Sequence, residues 1–181
     1  MKTLKFIGAI AISFSLLACG GESKTEGYDA ATENEAAAKA DYKGMELVNL
    51  SEFAVNASIQ LPNEDKGTRQ IQSSTTESIE ILVGDAFGIE IIPFGISVAE
   101  KQQELNGDLV YTIEYLEETP EKIVYRKTIK DSEIDPEYHF FITKEINGEP
   151  FSIKSLNKAY KQKSIEKMVL SAESLTPQNP S

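Results

Sequence analysis

The side chains best suited to chemistry are scarce in this chain, which has one His, one Cys and no Trp among 181 residues. His139 lies between Tyr138 and Phe140, where strand alternation puts it on the opposite face from Tyr138, Phe140 and Ile142 and beside Phe141 and Thr143. A general base needs a nucleophile and an orienting carboxylate, and no nucleophile elbow or Gly-rich oxyanion loop accompanies this His. His139 is expected to be a solvated or hydrogen-bonded structural residue. Asp131, Glu133, Asp135 and Glu137 sit at alternate positions, so a hairpin loop could gather their oxygens around Ca²⁺. An EF-hand loop counted from Asp131 would need Gly and Glu where this chain has Pro136 and Ile142, which leaves a solvated acidic turn as the expectation. One Cys and one His also exclude multi-thiolate and multi-His metal sites. The run Gly84-Asp85-Ala86-Phe87-Gly88 lacks the Gly-Lys-Ser/Thr ending of a phosphate loop and reads as a turn. No catalytic, cofactor or metal residue is assigned.

Charge says more about binding than about catalysis. Residues 45–121 carry 3 basic and 15 acidic side chains, whereas residues 122–167 carry 10 basic and 7 acidic ones. Lys154, Lys158, Lys161, Lys163 and Lys167 enclose Tyr160, and such a segment either coats a solvated connection or receives an anionic ligand, such as a phosphate-bearing head group. The net charge of −11 argues against nucleic acid as a general partner, because backbone phosphates would repel the mean field. Tyr111, Tyr115 and Tyr125 form a stripe expected to be core or half-buried sheet surface before it is a ligand platform.

These residues need elements to position them. Phe53, Val55, Ala57, Ile59 and Leu61 alternate with smaller polar residues and predict a half-buried strand over 53–61, ended by Pro62. Residues 67–77 read as loop. Strands follow over 78–83 and 87–93, then a short helix over 97–105 with Ser97 as N-cap and Asn106-Gly107 as its stop. Strands over 109–115 and 122–129 form a hairpin, and strands over 138–146 and 151–156 flank Asn147-Gly148, the pair a type I′ turn favours. Ile165, Met168, Val169, Ala172 and Leu175 recur at helical spacing behind Ser164, which predicts a C-terminal amphipathic helix over 164–175. The pattern is α+β: a largely antiparallel sheet of six or seven strands, with a short middle helix and the C-terminal helix packed on one face. One domain spans 45–175, and 176–181 is expected to be a disordered tail.

The N-terminus carries an address. Lys2 and Lys5 precede an apolar run over residues 6–18 that has no charge and is too short to span a bilayer as a helix. The run ends Leu16-Leu17-Ala18-Cys19, with Gly20 and Gly21 behind it and the sole cysteine in the terminal place. This segment resembles the signal of the bacterial lipoprotein class, and the resemblance covers residues 1 to about 22 only. It implies removal of residues 1–18 by signal peptidase II and lipid attachment at Cys19. Leu16 and Ala18 match the lipobox, and Leu17 is bulkier than the usual residue there. Two or three acyl chains would make attachment stable where one alone binds reversibly. Gly20 is not the Asp that retains such proteins in the inner membrane of enteric bacteria, so the outer membrane is favoured, on its periplasmic face or at the cell surface. Residues 19–44, poor in large apolar side chains, read as a flexible tether. The expected protein is a lipid-anchored envelope protein acting by non-catalytic binding or as an accessory module. The alternatives are an immunity-type lipoprotein that protects by protein contact, or a hydrolase whose site the fold assembles. The 45–175 region resembles no named family.

Overall fold

Alternating burial organises most of the chain from residue 45 onward. The computed structural model describes residues 40–74 and 77–178. The signal peptide, the lipobox with Cys19 and most of the tether lie outside the described residues, as do Thr75, Thr76 and residues 179–181. In chain order the elements are β1 (Met45–Asn49), β2 (Ala57–Pro62), β3 (Arg69–Ser73), β4 (Ile79–Val83), β5 (Phe87–Pro93), α1 (Val98–Asn106), β6 (Tyr111–Glu118), β7 (Lys122–Ile129), β8 (Glu137–Ile146), β9 (Glu149–Ser155), α2 (Gln162–Glu173) and β10 (Thr176–Pro177). The fold is α+β, with a seven-stranded antiparallel sheet in the order β3-β4-β5-β9-β8-β7-β6 and a three-stranded sheet in the order β1-β2-β10.

The main core lies between one face of the large sheet, the small sheet and α2. Ile79, Ile81, Ile89, Ile91, Phe140 and Ile153 meet Ala57, Ile59 and Leu61 of β2 and Ile165, Met168 and Ala172 of α2. Each fully buried aliphatic side chain of this kind contributes about 1.5–3 kcal/mol. A smaller cluster on the other face packs Val98 and Leu105 of α1 on Ile123, Tyr125 and Phe141. The middle helix therefore covers the face opposite α2. It starts as the sequence predicts: Ser97 Oγ accepts from the Glu100 amide while the Glu100 carboxylate accepts from the Ser97 amide. At the other end of the chain, Lys144 Nζ donates to the carbonyls of Glu173 and Leu175 and closes the C-terminus of α2. Burial lowers the pKa of Lys144, and the nearby Glu173 carboxylate works the other way.

Several boundaries differ from the expectation. Residues 51–53 form a 3₁₀ turn closed by Ala54 in a left-handed conformation, so the strand begins only at Ala57, although Val55, Ala57, Ile59 and Leu61 are all buried. Strand β1 was not expected, and β3 falls in the segment read as loop. β3 pairs in full register with β4, and the Arg69 guanidinium binds the Pro62 carbonyl and the Glu46 carboxylate. Helix α2 begins at Gln162 with Lys161 as N-cap, not at Ser164. Thr176 and Pro177, placed in the tail, pair with Ser58 and Ala57 of β2. The Asn147-Gly148 turn forms as predicted, with φ of 55° and 82°.

The described domain has two distinct ends. Near one, the chain joins it at Gly44, whose carbonyl accepts from the Asn63 amide at 3.1 Å. From Asn63 the chain turns to Gly67, which lies so close to Gly84 that a Cβ would sit 2.6 Å from the Gly84 Cα. Beside Gly84, the Asp85 carbonyl accepts from Lys158 Nζ at 2.9 Å. The opposite end carries the Asn147-Gly148 turn, whose Asn147 donates to the Asn56 carbonyl, and the segment after β5, where the Phe94 amide donates to the Pro150 carbonyl. Strand β6 ends the large sheet; its pairing with β7 is interrupted by an extra residue at Leu116, and it carries Glu114, Glu117 and Glu118.

Candidate functional site

Two places in the described residues have the ingredients of a site, one buried and one at the tip opposite Gly44. The buried one surrounds His139. Its Nδ1 lies 2.9 Å from Ser155 Oγ, its ring stacks on Tyr125 at 5.6 Å, and its Nε2 is 3.5 Å from a Glu137 carboxylate oxygen. Serine, imidazole and carboxylate thus stand in sequence, as in a hydrolase. Ser155 and His139 are only 6% and 4% exposed, so no substrate reaches the hydroxyl without opening the sheet. Burial lowers the pKa of the imidazole, Lys127 lowers it further, and Glu137 opposes both. Burial thus disfavours the charged ring, and Nε2 makes no hydrogen bond. Of the two environments expected for His139, solvated or hydrogen-bonded, the structure shows the second.

The exposed place is built on Pro93-Phe94-Gly95. Phe94 adopts φ of 53°, a left-handed conformation uncommon for non-glycine residues and an outlier for one this bulky. Several contacts hold it there. The Phe94 amide donates to the Pro150 carbonyl at 2.8 Å, and Ser152 Oγ donates to the Ile96 carbonyl at 2.9 Å. Gly95 packs so tightly on Ser152 that a Cβ would fall 2.0 Å from its Oγ. The outcome is an aromatic ring 69% exposed, with Ile96 beside it at 43%. Next to Pro150, Glu121, Thr143, Lys144 and Glu145 line an open cleft of about 360 Å³. A second cleft of about 480 Å³ lies between the start of α1 and the β6–β7 turn, lined by Val98, Ala99, Gln102, Glu118, Thr119 and Pro120. Glu121, Glu145 and Glu149 are exposed and form no ion pair among the described residues. The tip therefore combines a presented aromatic, shallow apolar clefts and unpaired carboxylates.

The other residues singled out from sequence fall elsewhere. Asp131, Glu133, Asp135 and Glu137 do not converge, and no group of three or more His, Cys, Asp or Glu among the described residues is placed to hold a metal ion. Tyr125 is buried with its ring 6.4 Å from Tyr115, and Tyr115 donates to Asn106, so these two lie under α1 and not on a ligand platform. Lys127 sits 5.3 Å over the Tyr111 ring. Lys154 pairs with Glu90, and Lys158 with the Asp85 carbonyl. Sequence reasoning passed over Phe94, although a lone aromatic between Pro93 and Gly95 marks a backbone forced out of the strand. No helix among the described residues is long and apolar enough to cross a membrane. No protein-family model, curated protein or solved structure matches this chain, so the placement of its own residues carries the functional reading.

Proposed function

We propose that this is a lipid-anchored protein of the bacterial cell envelope, held at the outer membrane by acyl chains on Cys19, whose domain binds a partner without catalysing a reaction. The address rests on the apolar run ending Leu16-Leu17-Ala18-Cys19 and on the tether behind it. The role of the domain is carried by one observation: a strained, well-supported backbone holds Phe94 out in solvent. Left-handed conformations of such residues cost about 1–3 kcal/mol, persist only where neighbours over-determine them, and gather at ligand clamps. Exposed rigid aromatics are also the side chains from which binding hot spots are built. The unpaired Glu121, Glu145 and Glu149 favour a partner with a basic surface, which suits a protective lipoprotein that blocks a basic attacker by contact.

Two measurements test this reading. In cells, Cys19→Ser abolishes palmitate labelling and releases the protein from the membrane, and labelling that persists in the variant rules out the anchor. A photo-crosslinker at position 94 captures one recurring envelope protein that the same group at Gln72, on the edge strand β3, does not. Identical products from both positions would remove Phe94 from any binding role.

A further inference from the structure

Lys158, Lys161, Lys163 and Lys167 are exposed on the β9–α2 connection and the first turns of α2. Among the described residues none of the four forms an ion pair, and Lys158 alone donates a hydrogen bond, to the Asp85 carbonyl. Glu166 is the single acidic side chain in residues 155–167. This concentration of ammonium groups stands out in a chain of net charge −11. Its place in the fold gives it meaning. The contacts from Gly44 through Asn63, Gly67 and Gly84 to Asp85 bring the point where the chain joins the domain to the same end as Lys158. Phe94 lies at the other end.

We infer that this lysine segment is a second membrane contact, lying against the anionic phospholipid headgroups of the leaflet that holds the Cys19 anchor. Which leaflet it meets rests on the proposed anchor; its affinity for anionic lipid does not. A tether of about 25 residues reaches roughly 25–30 Å and fixes distance without fixing orientation. Orientation then falls to electrostatics. An anionic surface repels the acidic bulk of the domain and attracts the lysines, each of which strengthens binding about fivefold when brought close to such a surface. A cluster of four meets the usual size for recognition of anionic lipid. Asp131, Glu133 and Asp135 lie in the turn leading into Tyr138, which bridges to Tyr160, and Glu64, Asp65 and Asp85 are exposed beside Gly67 and Gly84; all of these oppose the attraction from the same end. They turn the α2 side of that end toward the lipid.

The test uses the chain from residue 19 to 181 with Cys19→Ser, so that no acyl group contributes. It is pelleted with vesicles of phosphatidylcholine containing about one-third phosphatidylglycerol, or of phosphatidylcholine alone, at about 0.02 M and about 0.5 M salt. The chain should pellet with the anionic vesicles at low salt, stay soluble with the neutral ones, and be released at high salt. Replacing Lys158, Lys161, Lys163 and Lys167 by Gln lowers that affinity at least about tenfold without moving the thermal midpoint. Asp131→Asn, Glu133→Gln and Asp135→Asn together raise it. Equal binding to both lipids, or a lysine variant that binds anionic vesicles as the parent does, overturns the inference. A chain that pellets with neither lipid also overturns it and assigns the lysines to an acidic protein surface instead. Palmitate labelling of Cys19 is read separately, so loss of the anchor and loss of the lysine contact are distinct results.

Discussion

At Phe94 backbone and side chain pull in different directions, and the conflict can be measured. A left-handed conformation costs a non-glycine residue about 1–2 kcal/mol, and glycine gives back part of that through its greater freedom when unfolded. Phe94→Gly should raise stability by up to about 1 kcal/mol while abolishing crosslinking to the partner, whereas Phe94→Ala loses the partner without the gain. Thermal melts beside a binding assay check this, and a Gly variant that is both less stable and still bound would remove the strain from the account. His139 makes a different prediction. Its folded pKa lies below the ordinary value because burial disfavours the charged ring, so the unfolded chain takes up the proton first as acid is added. The resulting stability is complete above about pH 6.5 and fades as the pH falls through the folded value, with a slope of at most about 1.4 kcal/mol per pH unit. Denaturant melts from about pH 7.5 down to about pH 5 should show this loss, and His139→Gln should flatten it. The sequence allowed for a hydrogen-bonded His139, and Ser155 supplies that bond; the φ of Phe94 was not legible, because Phe, unlike the Asn147-Gly148 pair, has no preference for a left-handed backbone.

Among the elements, α2 shows how a helix end is secured from outside its own sequence. Lys144 comes from β8, 29 residues before Glu173, and donates to carbonyls at the end of α2 that have no intrahelical donor. Lys144→Met keeps much of the stem but removes the ammonium, and should destabilise the domain by about 1–3 kcal/mol; a denaturant midpoint that does not move would show that water replaces it. The same distinction between local and distant causes explains which elements could be read. The capping box of Ser97 and Glu100, the Asn147-Gly148 turn and the alternation in β4 and the first half of β7 are local and were visible in the residues. Strands β1 and β3 bury little on either face and are held by pairing with β2 and β4 and by Arg69 bridging Pro62 and Glu46. Their sequences carry no alternation strong enough to reveal them. Residues 53–56 show the converse, since alternating apolar side chains reach the core from a turn as well as from a strand.

Over the whole domain, the lysine segment and the point where the chain enters coincide. The basic segment around Lys161 shares the end near Gly44, and the acidic tip around Phe94 occupies the other, so a domain resting on its lysines would hold its aromatic away from the bilayer. Charge totals from sequence already showed the imbalance between residues 45–121 and 122–167, but only the fold brings residues from β4, β9 and α2 to one end. Strand β6 has a further consequence for a protein of this kind. Molecules confined to a surface collide with their own copies far more often than dissolved ones, and an open sheet edge invites each collision to become a fibre. The extra residue at Leu116 breaks the register a neighbouring strand would need, and Glu114, Glu117 and Glu118 would face the same three carboxylates on a second copy. On the membrane surface proposed for this protein, the β6 edge would thereby resist strand addition between crowded copies.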